Sequence, residues 1–323
     1  MTDIQYIRIV SHTSLYAQLN RNAESNNFDK IFNISKSVLN DFLVDDFNFQ
    51  FYKKAPKMSD LQIVALSLTA ESLSIDSENL LFSKLKTEYL QDFPNLIDRS
   101  NFNRRRKRMA YYISLVSERI SNEIDHSQDS YIVDSLPIPI CKNVRINRVK
   151  ICKDDPEIKP QRTFHACHKT YYYGFKLQLI ISKSGIPFGI GLTAANCHDA
   201  NFLKYLKDYQ LSECQIIADK GYISTGQQIS LFEEAKIKVI TPKRENMKKE
   251  FVKWKPTHRY QRKRIETLFS QMDDQMMIKR NYAKSFDGIF TRIITKISSV
   301  AVLQYINHLN KKSINNLKHA LAA

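Results

Sequence analysis

The stretch YIVDSLPIPICKNVRINRVKICK, residues 131–153, decides how the C-terminal part of this 323-residue chain is read. It begins as an apolar run with one acid, Asp134, and continues as a segment rich in Lys and Arg. A short apolar run predicts a buried strand, where a carboxylate is costly unless it is paired or binds a metal. We therefore interpret Asp134 as a functional residue, followed by a basic segment that contacts a polyanion.

The composition indicates a folded and strongly basic protein. Hydrophobic residues make up 43% of the chain, which is enough to build a core. Lys and Arg total 49 against 33 Asp and Glu, a net charge of +16 that is concentrated in stretches. Such an excess favours nucleic acid as a partner, and the alternative is a merely soluble basic surface.

The cysteines and the hydropathy pattern indicate in which cellular compartment the protein is expected. Five scattered cysteines without a CxxC pair fit neither a disulfide framework nor a standard zinc ribbon. No run of eighteen apolar residues occurs, and the first twenty residues lack the features of a signal peptide. We expect a cytoplasmic protein without a membrane partner.

The N-terminal region, residues 1–127, has the 3.6-residue apolar period of helices. MSDLQIVALSLTAESLSI begins with a capping-box pattern, Ser59 and Gln62. DRSNFNRRRKRMAYYISLVSERISNEI predicts one long helix with a basic run that includes Arg104, Arg105 and Arg106, which suits a helix-turn-helix-like DNA-binding region. The alternative for this run is a solvated or phosphate-contacting face that reads no bases.

After residue 127 the pattern changes to short apolar runs and alternation, typical of strands. It predicts an α+β or α/β domain over 128–311, with a mixed sheet flanked by helices, a basic insertion at 141–169, and a C-terminal tail at 312–323. The predicted strands are 131–138, 171–183, 186–194, 214–219 and 237–241, and the predicted helices are 199–209, 225–236, 258–277 and 286–310.

Three acids stand out in this scheme. Asp134 and Asp219 each follow a buried apolar run, and Glu266 lies at the edge of the apolar stripe of a helix. If the two strands are neighbours, their carboxylates face each other across roughly 5 Å. A divalent cation relieves that repulsion, and Mg²⁺ needs few protein carboxylates. Arg262 lies one turn before Glu266 and can pair with the acid or with a phosphate.

The residues around these acids have simpler interpretations. Asp199 reads as a helix N-cap, and His198 as a residue without a direct role. Lys220 follows Asp219 and can reach a phosphate. The insertion raises the question of zinc, although its spacings match no familiar site; its candidates are Cys141, Cys152, His165, Cys167 and His168.

Several blocks together resemble the bacterial insertion-sequence transposases of the IS982 family, in the DDE group with a ribonuclease-H-like core. These blocks are VDSLPIPICKNVRINR, YYYGFKLQLI, ADKGYIS, RKRIETLFSQMDDQ and RNYAKSF, with PKMSDLQIVALSLTAESLSIDSENLLFSKL and FPNLIDRSNFNRRRKR in the N-terminal part. The resemblance covers most of the chain. It implies that Asp134, Asp219 and Glu266 are both the catalytic triad and the metal ligands.

The chain departs from a signature of related DDE groups, Tyr-x-x-Arg-x-x-x-Glu-x6-Lys. It keeps Arg262, but Arg259 replaces the Tyr and Asp273 replaces the Lys. Tyr260 and Lys279 are therefore left without an assignment.

The resemblance implies a DNA transposase that binds terminal inverted repeats and catalyses metal-dependent strand cleavage and strand transfer. It further implies two Mg²⁺ ions, with Mn²⁺ as a substitute, double-stranded DNA from the transposon ends and the target as partner, and a homodimer on DNA within the nucleoid. Alternatives are an inactive DNA-binding repressor and a ribonuclease-H-like nuclease without strand transfer.

The basic segments 142–153, 243–249 and 253–264 are predicted to hold the DNA backbone. Trp254 is predicted either to stack on a base or to pack against its own loop. The predicted DNA-binding residues are Arg104, Arg105, Arg106, Lys142, Arg145, Arg148, Lys220, Trp254, Arg259, Arg262 and Lys263.

Overall fold

The structure is a computed structural model that describes residues 27–45, 47–125, 129–152, 158–166, 169–242 and 254–321. Its helices are α1 (described from 27 to 38), α2 (Asp60–Ser72), α3 (Glu78–Thr87), α4 (Arg99–Arg108), α5 (Ala110–Ile124), α6 (Thr225–Ala235), α7 (Pro256–Asp274) and α8 (Phe286–Leu309). Its strands are β1 (Ser130–Cys141), β2 (Gln161–His165), β3 (Thr170–Ser182), β4 (Pro187–Ala194), β5 (Gln215–Ile217) and β6 (Lys238–Ile240).

The six strands form one mixed sheet. β3 pairs antiparallel with β1 on one side, and with β2 and β4 in succession on the other. β5 lies parallel to β1, and β6 lies parallel to β5. A meander of antiparallel strands extended by two strands parallel to the first is ribonuclease-H-like. The fold class predicted from the sequence is therefore confirmed.

The two faces of the sheet pack against different helices. Along β1, Ile132, Leu136 and Ile138 belong to the large core that includes α5, α7 and α8. Tyr131 and Val133 point to a smaller core on the opposite face, formed with α6 and a 3₁₀ helix at Asp199–Tyr209. Since strand side chains alternate, Asp134 lies on the face that α7 covers.

α8 joins the N-terminal helices to the sheet. It packs against α2, α5 and β4, and one continuous hydrophobic core runs from Ile31 to Ala320. α8 is long and apolar enough to cross a membrane, but 94% of its most apolar window is buried inside the protein. The domain boundary predicted at residue 127 lies in 126–128, outside the described residues.

Short sequence motifs explain where most of the helices and strands begin and end. Three features differ from those predicted from the sequence. Ser59 and Gln62 form the predicted capping box at the start of α2. The long basic helix is divided at Met109 into α4 and α5, and residues 199–209 are 3₁₀ instead of α-helical. The insertion predicted as a basic loop contributes a strand, β2, that pairs with the exposed end of β3.

Candidate active site

Asp134 lies within β1, and Asp219 lies just after the carboxyl end of the adjacent parallel strand β5. Ile132 of β1 pairs with Ile217, the last residue of β5, and each aspartate is two residues further along the chain. The pairing register, which the hydrophobic pattern fixes, therefore brings two carboxylates together from positions 85 residues apart in sequence.

The third acid reaches the same place from α7. Ile265, Leu268 and Met272 are buried and anchor α7 on the sheet. Arg262 Nη2 lies 3.2 Å from Asp134 Oδ2 and 2.9 Å from Glu266 Oε1. Both oxygens therefore contact one nitrogen atom and are about 6 Å apart at most. The guanidinium group bridges the strand acid and the helix acid.

Burial dominates the electrostatics of Asp134. Burial, with a smaller contribution from the neighbouring Asp219, raises the pKa of the carboxyl group from 3.8 to about 6. Arg262 and the Ser135 backbone N–H act in the opposite direction, because they stabilise the charged form. Because the side chain of Asp134 is only 13% exposed, its negative charge is incompletely compensated. An additional cation at this position would be stabilised.

A tight turn holds Asp219. Its Oδ1 accepts a 2.6 Å hydrogen bond from the Gly221 backbone N–H and caps the 3₁₀ turn Lys220–Tyr222. A Cβ at Gly221 would lie 2.9 Å from Asp219 Oδ1 and 3.1 Å from Asp199 Oδ2. A side chain at Gly221 would therefore push against both carboxylates, and the two aspartate oxygens lie within about 6 Å of each other.

Asp199 is a fourth acid that sequence reasoning missed. The N-cap is His198, whose side chain accepts from Ala200 N–H, so the N-cap interpretation of Asp199 is wrong. Asp199 Oδ1 instead accepts one hydrogen bond of 3.0 Å from Gln178 Nε2. The same oxygen forms an ion pair with Lys176 Nζ, also at 3.0 Å. The sequence feature that could have indicated these contacts is the alternation of side chains along β3, which places Lys176 and Gln178 on the same face of the strand.

These interactions form a polar network below the acids. Gln178 Oε1 accepts a hydrogen bond from the hydroxyl of Tyr222, which is fully buried. Tyr222 follows directly after Gly221 in the turn that holds Asp219. The chain of contacts from Lys176 through Asp199 and Gln178 therefore fixes the position of that turn.

All four acids line one open groove of about 680 Å³, which we call the acidic groove: Asp134, Asp199, Asp219 and Glu266. Cations also face it, namely Lys176, Arg262 and Lys279. The buried hydroxyl of Tyr172 lines it and has no hydrogen-bond partner in the described part of the chain. A groove with mixed acids, cations and an unsatisfied hydroxyl suits a charged, oxygen-rich substrate.

Comparison with protein families identifies the chemistry. Residues 125–286, about half of the chain, match the family described as transposase DDE domain. The chain belongs to the DDE transposase family. The matched range contains all three predicted catalytic acids and all the residues that line the acidic groove. Comparisons with curated proteins and with solved structures give no match.

DDE transposase domains use divalent metals, and the donor set of the acidic groove fits them chemically. Carboxylate oxygens are the ligands that Mg²⁺ prefers, and the buried charge of Asp134 favours a nearby cation. Among the described residues, however, no three acidic, His or Cys side chains are close enough to enclose a metal. Arg262 already bridges Asp134 and Glu266, and Glu266 is half exposed and can rotate.

Several predicted DNA contacts of this DDE transposase lie on the surface. Lys142, Arg145 and Arg148 are exposed in the turns that follow β1. Arg259 and Lys263 are exposed on α7, whereas Arg262 faces the acidic groove. The remaining exposed members of the set are Arg104 on α4 and Lys220 beside Asp219.

Other predicted DNA contacts are engaged inside the protein. Arg106 is 5% exposed and pairs with Glu71 and Glu78, so its assignment as a DNA contact does not fit its surroundings. Arg105 binds Asp60 at 2.6 Å. The sequence contained a signal for the burial of Arg106, because it lies one helical turn after Phe102, which is also buried.

Trp254 packs within the protein. Its ring lies 5.4 Å from that of His258 in an edge-to-face arrangement, and it borders the main core. This arrangement agrees with the packing role predicted for Trp254. Residues 243–249 and Lys253 of the predicted basic segments lie outside the described residues, as do Lys153, Cys167 and His168 of the insertion.

Lys279 and Asp273, which depart from the signature of related groups, contact each other. The ammonium group of Lys279 pairs with the Asp273 carboxylate, and Lys279 lines the acidic groove. Tyr260, by contrast, is 79% exposed on α7. Lys279 therefore brings a positive charge to the groove from the loop after α7.

Replacing Asp199 by Ala should slow DNA cleavage about 10- to 100-fold, the usual cost of losing a residue that positions metal ligands. The change leaves Lys176 without its carboxylate and releases Gln178, so the Asp219 turn loses support. Cleavage rates measured against Mg²⁺ concentration should reach half of their maximum at a higher Mg²⁺ concentration than in the wild type. Asp208→Ala, exposed on the same 3₁₀ helix, is the matched control, and equal rates for the two variants would refute the positioning role.

Proposed function

We propose that this chain is the transposase of an IS982-type insertion sequence, which binds the terminal inverted repeats of its element and catalyses cleavage and transfer of DNA strands. The observation that supports the proposal best is the convergence of Asp134, Asp219 and Glu266, from two strands and one helix, on one groove lined with cations. Family membership supports DNA as the substrate and phosphoryl transfer as the reaction.

The acidic residues would hold two divalent ions, Mg²⁺ or Mn²⁺. When bound, such ions activate the attacking oxygen and stabilise the leaving oxygen of an in-line displacement. Asp134 would supply the most buried carboxylate, Asp219 a carboxylate oriented by the Gly221 N–H, and Glu266 a more exposed one. Arg262 would exchange its bridge between the acids for a contact with the scissile phosphate.

The rim of the acidic groove suits DNA. Lys176 and Lys279 face the groove and can contact phosphates on either side of the scissile bond. The basic turns with Lys142, Arg145 and Arg148 extend this positive surface beyond β1.

Aromatic rings extend the same surface at the end of the β2–β3 hairpin. Phe164 and Tyr171 are each half exposed, and the Arg162 guanidinium lies 4.4 Å from the centroid of the Tyr171 ring. Exposed rings beside a cation provide a stacking surface for bases.

We further propose that the protein acts in the bacterial cytoplasm, bound to DNA as a homodimer without membrane contact. Transposition joins two element ends, so each end needs a catalytic centre nearby. Light scattering with and without end DNA tests the assembly: the mass of two protomers should appear when DNA is added, and one protomer per duplex at all concentrations would contradict it.

A cleavage assay tests the proposed reaction directly. Purified protein is incubated with a duplex that carries the element's terminal repeat, in Mg²⁺, Mn²⁺ or EDTA. We expect strand nicks at the element boundary and joined products with a target plasmid in either metal, and neither product in EDTA. Nicks without joined products would identify a nuclease, and binding without nicks a repressor.

A further inference from the structure

A second open cavity of about 790 Å³ lies away from the acidic groove, between α3, α4 and the start of α8. Its charged lining consists of one acid and five basic residues: Glu78, Arg99, Arg106, Lys107, Lys284 and Arg292. Polar side chains, among them those of Asn79, Asn103 and Ser285, also line it. We call this site the basic cavity.

The charges inside the basic cavity are unbalanced. Glu78 is shared by Arg99 at 3.8 Å and Arg106 at 3.4 Å. Lys107 and Lys284 form no ion pair within 4.0 Å among the residues described here. At least two cations of the lining therefore lack an acidic partner, which leaves a net positive site of the kind that attracts an anion.

Arg292 adds an unusual buried charge. It is 7% exposed, and no carboxylate of the described chain lies within 4.0 Å of its guanidinium group. One of its terminal nitrogens donates to the Asp76 carbonyl, while its buried Nε has no partner in the same described residues. A buried arginine without a directly contacting carboxylate is costly, and a bound anion would offset that cost.

The backbone around the cavity lets α4 approach the start of α8 closely. Ser285 caps α8 and its hydroxyl lies 3.5 Å from Lys107 Nζ. A Cβ at Gly288 would lie 2.9 Å from the Ala283 Cβ and 3.5 Å from Lys107 Cε. Absence of a side chain at Gly288 therefore lets Ala283 pack closely against the first turn of α8, where the helix dipole also favours an anion.

A single loop connects the basic cavity with the acidic groove. Lys279 lines the groove, and residues 282–285 of the same loop line the cavity. Ser285 lies six positions after Lys279, so their backbones are at most about 22 Å apart. That span corresponds to about six base pairs of B-DNA, at 3.4 Å per step along each strand. A duplex engaged at the acidic groove can therefore reach the basic cavity.

We propose that the basic cavity binds backbone phosphates of the same DNA whose scissile phosphate lies in the acidic groove. This inference rests on the proposed transposase function and adds to it a second DNA-contacting site, shared by the N-terminal helices and α8. Arg99, Lys107 and Lys284 contact the phosphates, and Arg292 supplies positive potential from the floor of the cavity.

The test compares two triple variants that remove the same charge. Arg99→Gln/Lys107→Gln/Lys284→Gln removes cations at the rim of the cavity. Lys204→Gln/Lys238→Gln/Lys318→Gln removes three exposed lysines that line neither cavity nor groove. Binding of a fluorescently labelled duplex bearing the terminal repeat is measured by anisotropy over a range of salt concentrations, after circular dichroism has verified that each variant is folded.

The cavity variant should bind DNA at least about tenfold more weakly than the control variant near 0.1 M salt. Its slope of log affinity against log salt should be smaller by about 2 to 3, because each lost phosphate contact removes about 0.9. In cleavage assays the DNA concentration for half-maximal rate should rise, while the maximal rate stays within about twofold, since the acids are intact.

Two results would overturn the inference, and they differ from each other. Equal affinity and salt slope for the two triple variants would refute the cavity and leave the transposase function standing. Failure of the wild-type protein to bind DNA would refute both the DNA-binding role of the basic cavity and the proposed transposase function.

Inorganic phosphate at matched ionic strength is the second probe. Stabilisation of the wild type but not of the cavity variant by phosphate, with unchanged DNA binding, would assign the cavity to a small phosphate ion and overturn the DNA proposal. No selective effect of phosphate, together with weaker DNA binding by the cavity variant, is the expected result.

Discussion

Replacing Asp134 by Asn should abolish DNA cleavage and, in the absence of metal, make the protein more stable. The first effect follows because Asn removes one of the carboxylates proposed to hold the metal ions in the acidic groove. We expect a loss of at least about a thousand-fold in cleavage rate, the range found when a transition-state contact is deleted. Cleavage of the terminal-repeat duplex in Mg²⁺ measures it.

The gain in stability follows from the raised pKa of Asp134. Burial first, and then Asp219, lifts the pKa from 3.8 to about 6. The folded protein therefore holds this proton more tightly than the unfolded chain, so the stability contributed by Asp134 is greatest below pH 3.8. It is lost as the pH rises to about 6 and beyond.

Asn cannot ionise and avoids that loss. A shift of this size corresponds to roughly 3 kcal/mol, reduced by the weaker bond that Asn makes to Arg262. At pH 8 in EDTA we expect Asp134→Asn to be more stable by about 1–3 kcal/mol, which raises the melting temperature by about 1–4 °C. At pH 4.5 the difference should largely disappear.

Metal titration separates this effect from general stabilisation. Mg²⁺ should raise the melting temperature of the wild type more than that of Asp134→Asn, because ligand binding stabilises only a site that can bind it. Asp92→Asn, on an exposed loop, should change neither cleavage nor stability. An Asp134→Asn protein that cleaves at the wild-type rate would exclude the proposed active site.

The acids could be recognised from sequence because each breaks a strong pattern. Asp134 interrupts an apolar strand, Asp219 ends one, and Glu266 borders a helical stripe. To predict that the three acids lie close together, one must also know that β1 and β5 are neighbours in the sheet. The resemblance to ribonuclease-H-like proteins supplied that information. The predicted strands and helices of the C-terminal region overlap those observed for the same reason, since their apolar periods are strong.

The parts that the sequence did not reveal depend on contacts between distant elements. Asp199 looks like a helix cap until β3 presents Lys176 and Gln178 to it. The five successive basic residues of α4, 104–108, look equivalent in sequence, yet the helix turns Arg106 into the core. The basic cavity combines residues of α4 with residues about 180 positions later. No local period marks such a site.

Glu71→Gln should destabilise the protein more than any surface substitution. Glu71 of α2 is 2% exposed and lies 2.7 Å from Lys296 of α8 and 3.0 Å from Arg106 of α4. Burial alone would raise its pKa, but Lys296, Arg106 and Arg292 outweigh burial and hold the pKa below its ordinary value. The carboxylate is thus the shared counter-ion of a cluster that joins three helices.

Removing that charge leaves Lys296, 1% exposed, and Arg106 without their buried partner. Breaking one side of a buried ion pair costs about 3–5 kcal/mol, which corresponds to a fall in melting temperature of about 4–8 °C here. Thermal unfolding at neutral pH measures it. Glu88→Gln breaks an exposed pair with Lys84 at 3.9 Å and should cost less than about 1 kcal/mol.

The double variant Glu71→Gln/Lys296→Met tests the cause. If the cost arises from an uncompensated buried cation, removing Lys296 as well should recover part of the lost stability. A double variant that is less stable than Glu71→Gln by a full additional increment would show instead that Lys296 acts independently of Glu71.

The same cluster also connects the N-terminal helices to catalysis. Lys296 Nζ donates a 2.5 Å hydrogen bond to the Met276 carbonyl, just after α7 ends, and α7 carries Arg262 and Glu266. Disturbing Glu71 should therefore loosen the end of α7 and slow cleavage modestly, by less than about tenfold at a temperature where the variant remains folded. A loss as large as that of Asp134→Asn, with folding intact, would mean that the helical region positions the acids far more tightly than this single hydrogen bond implies.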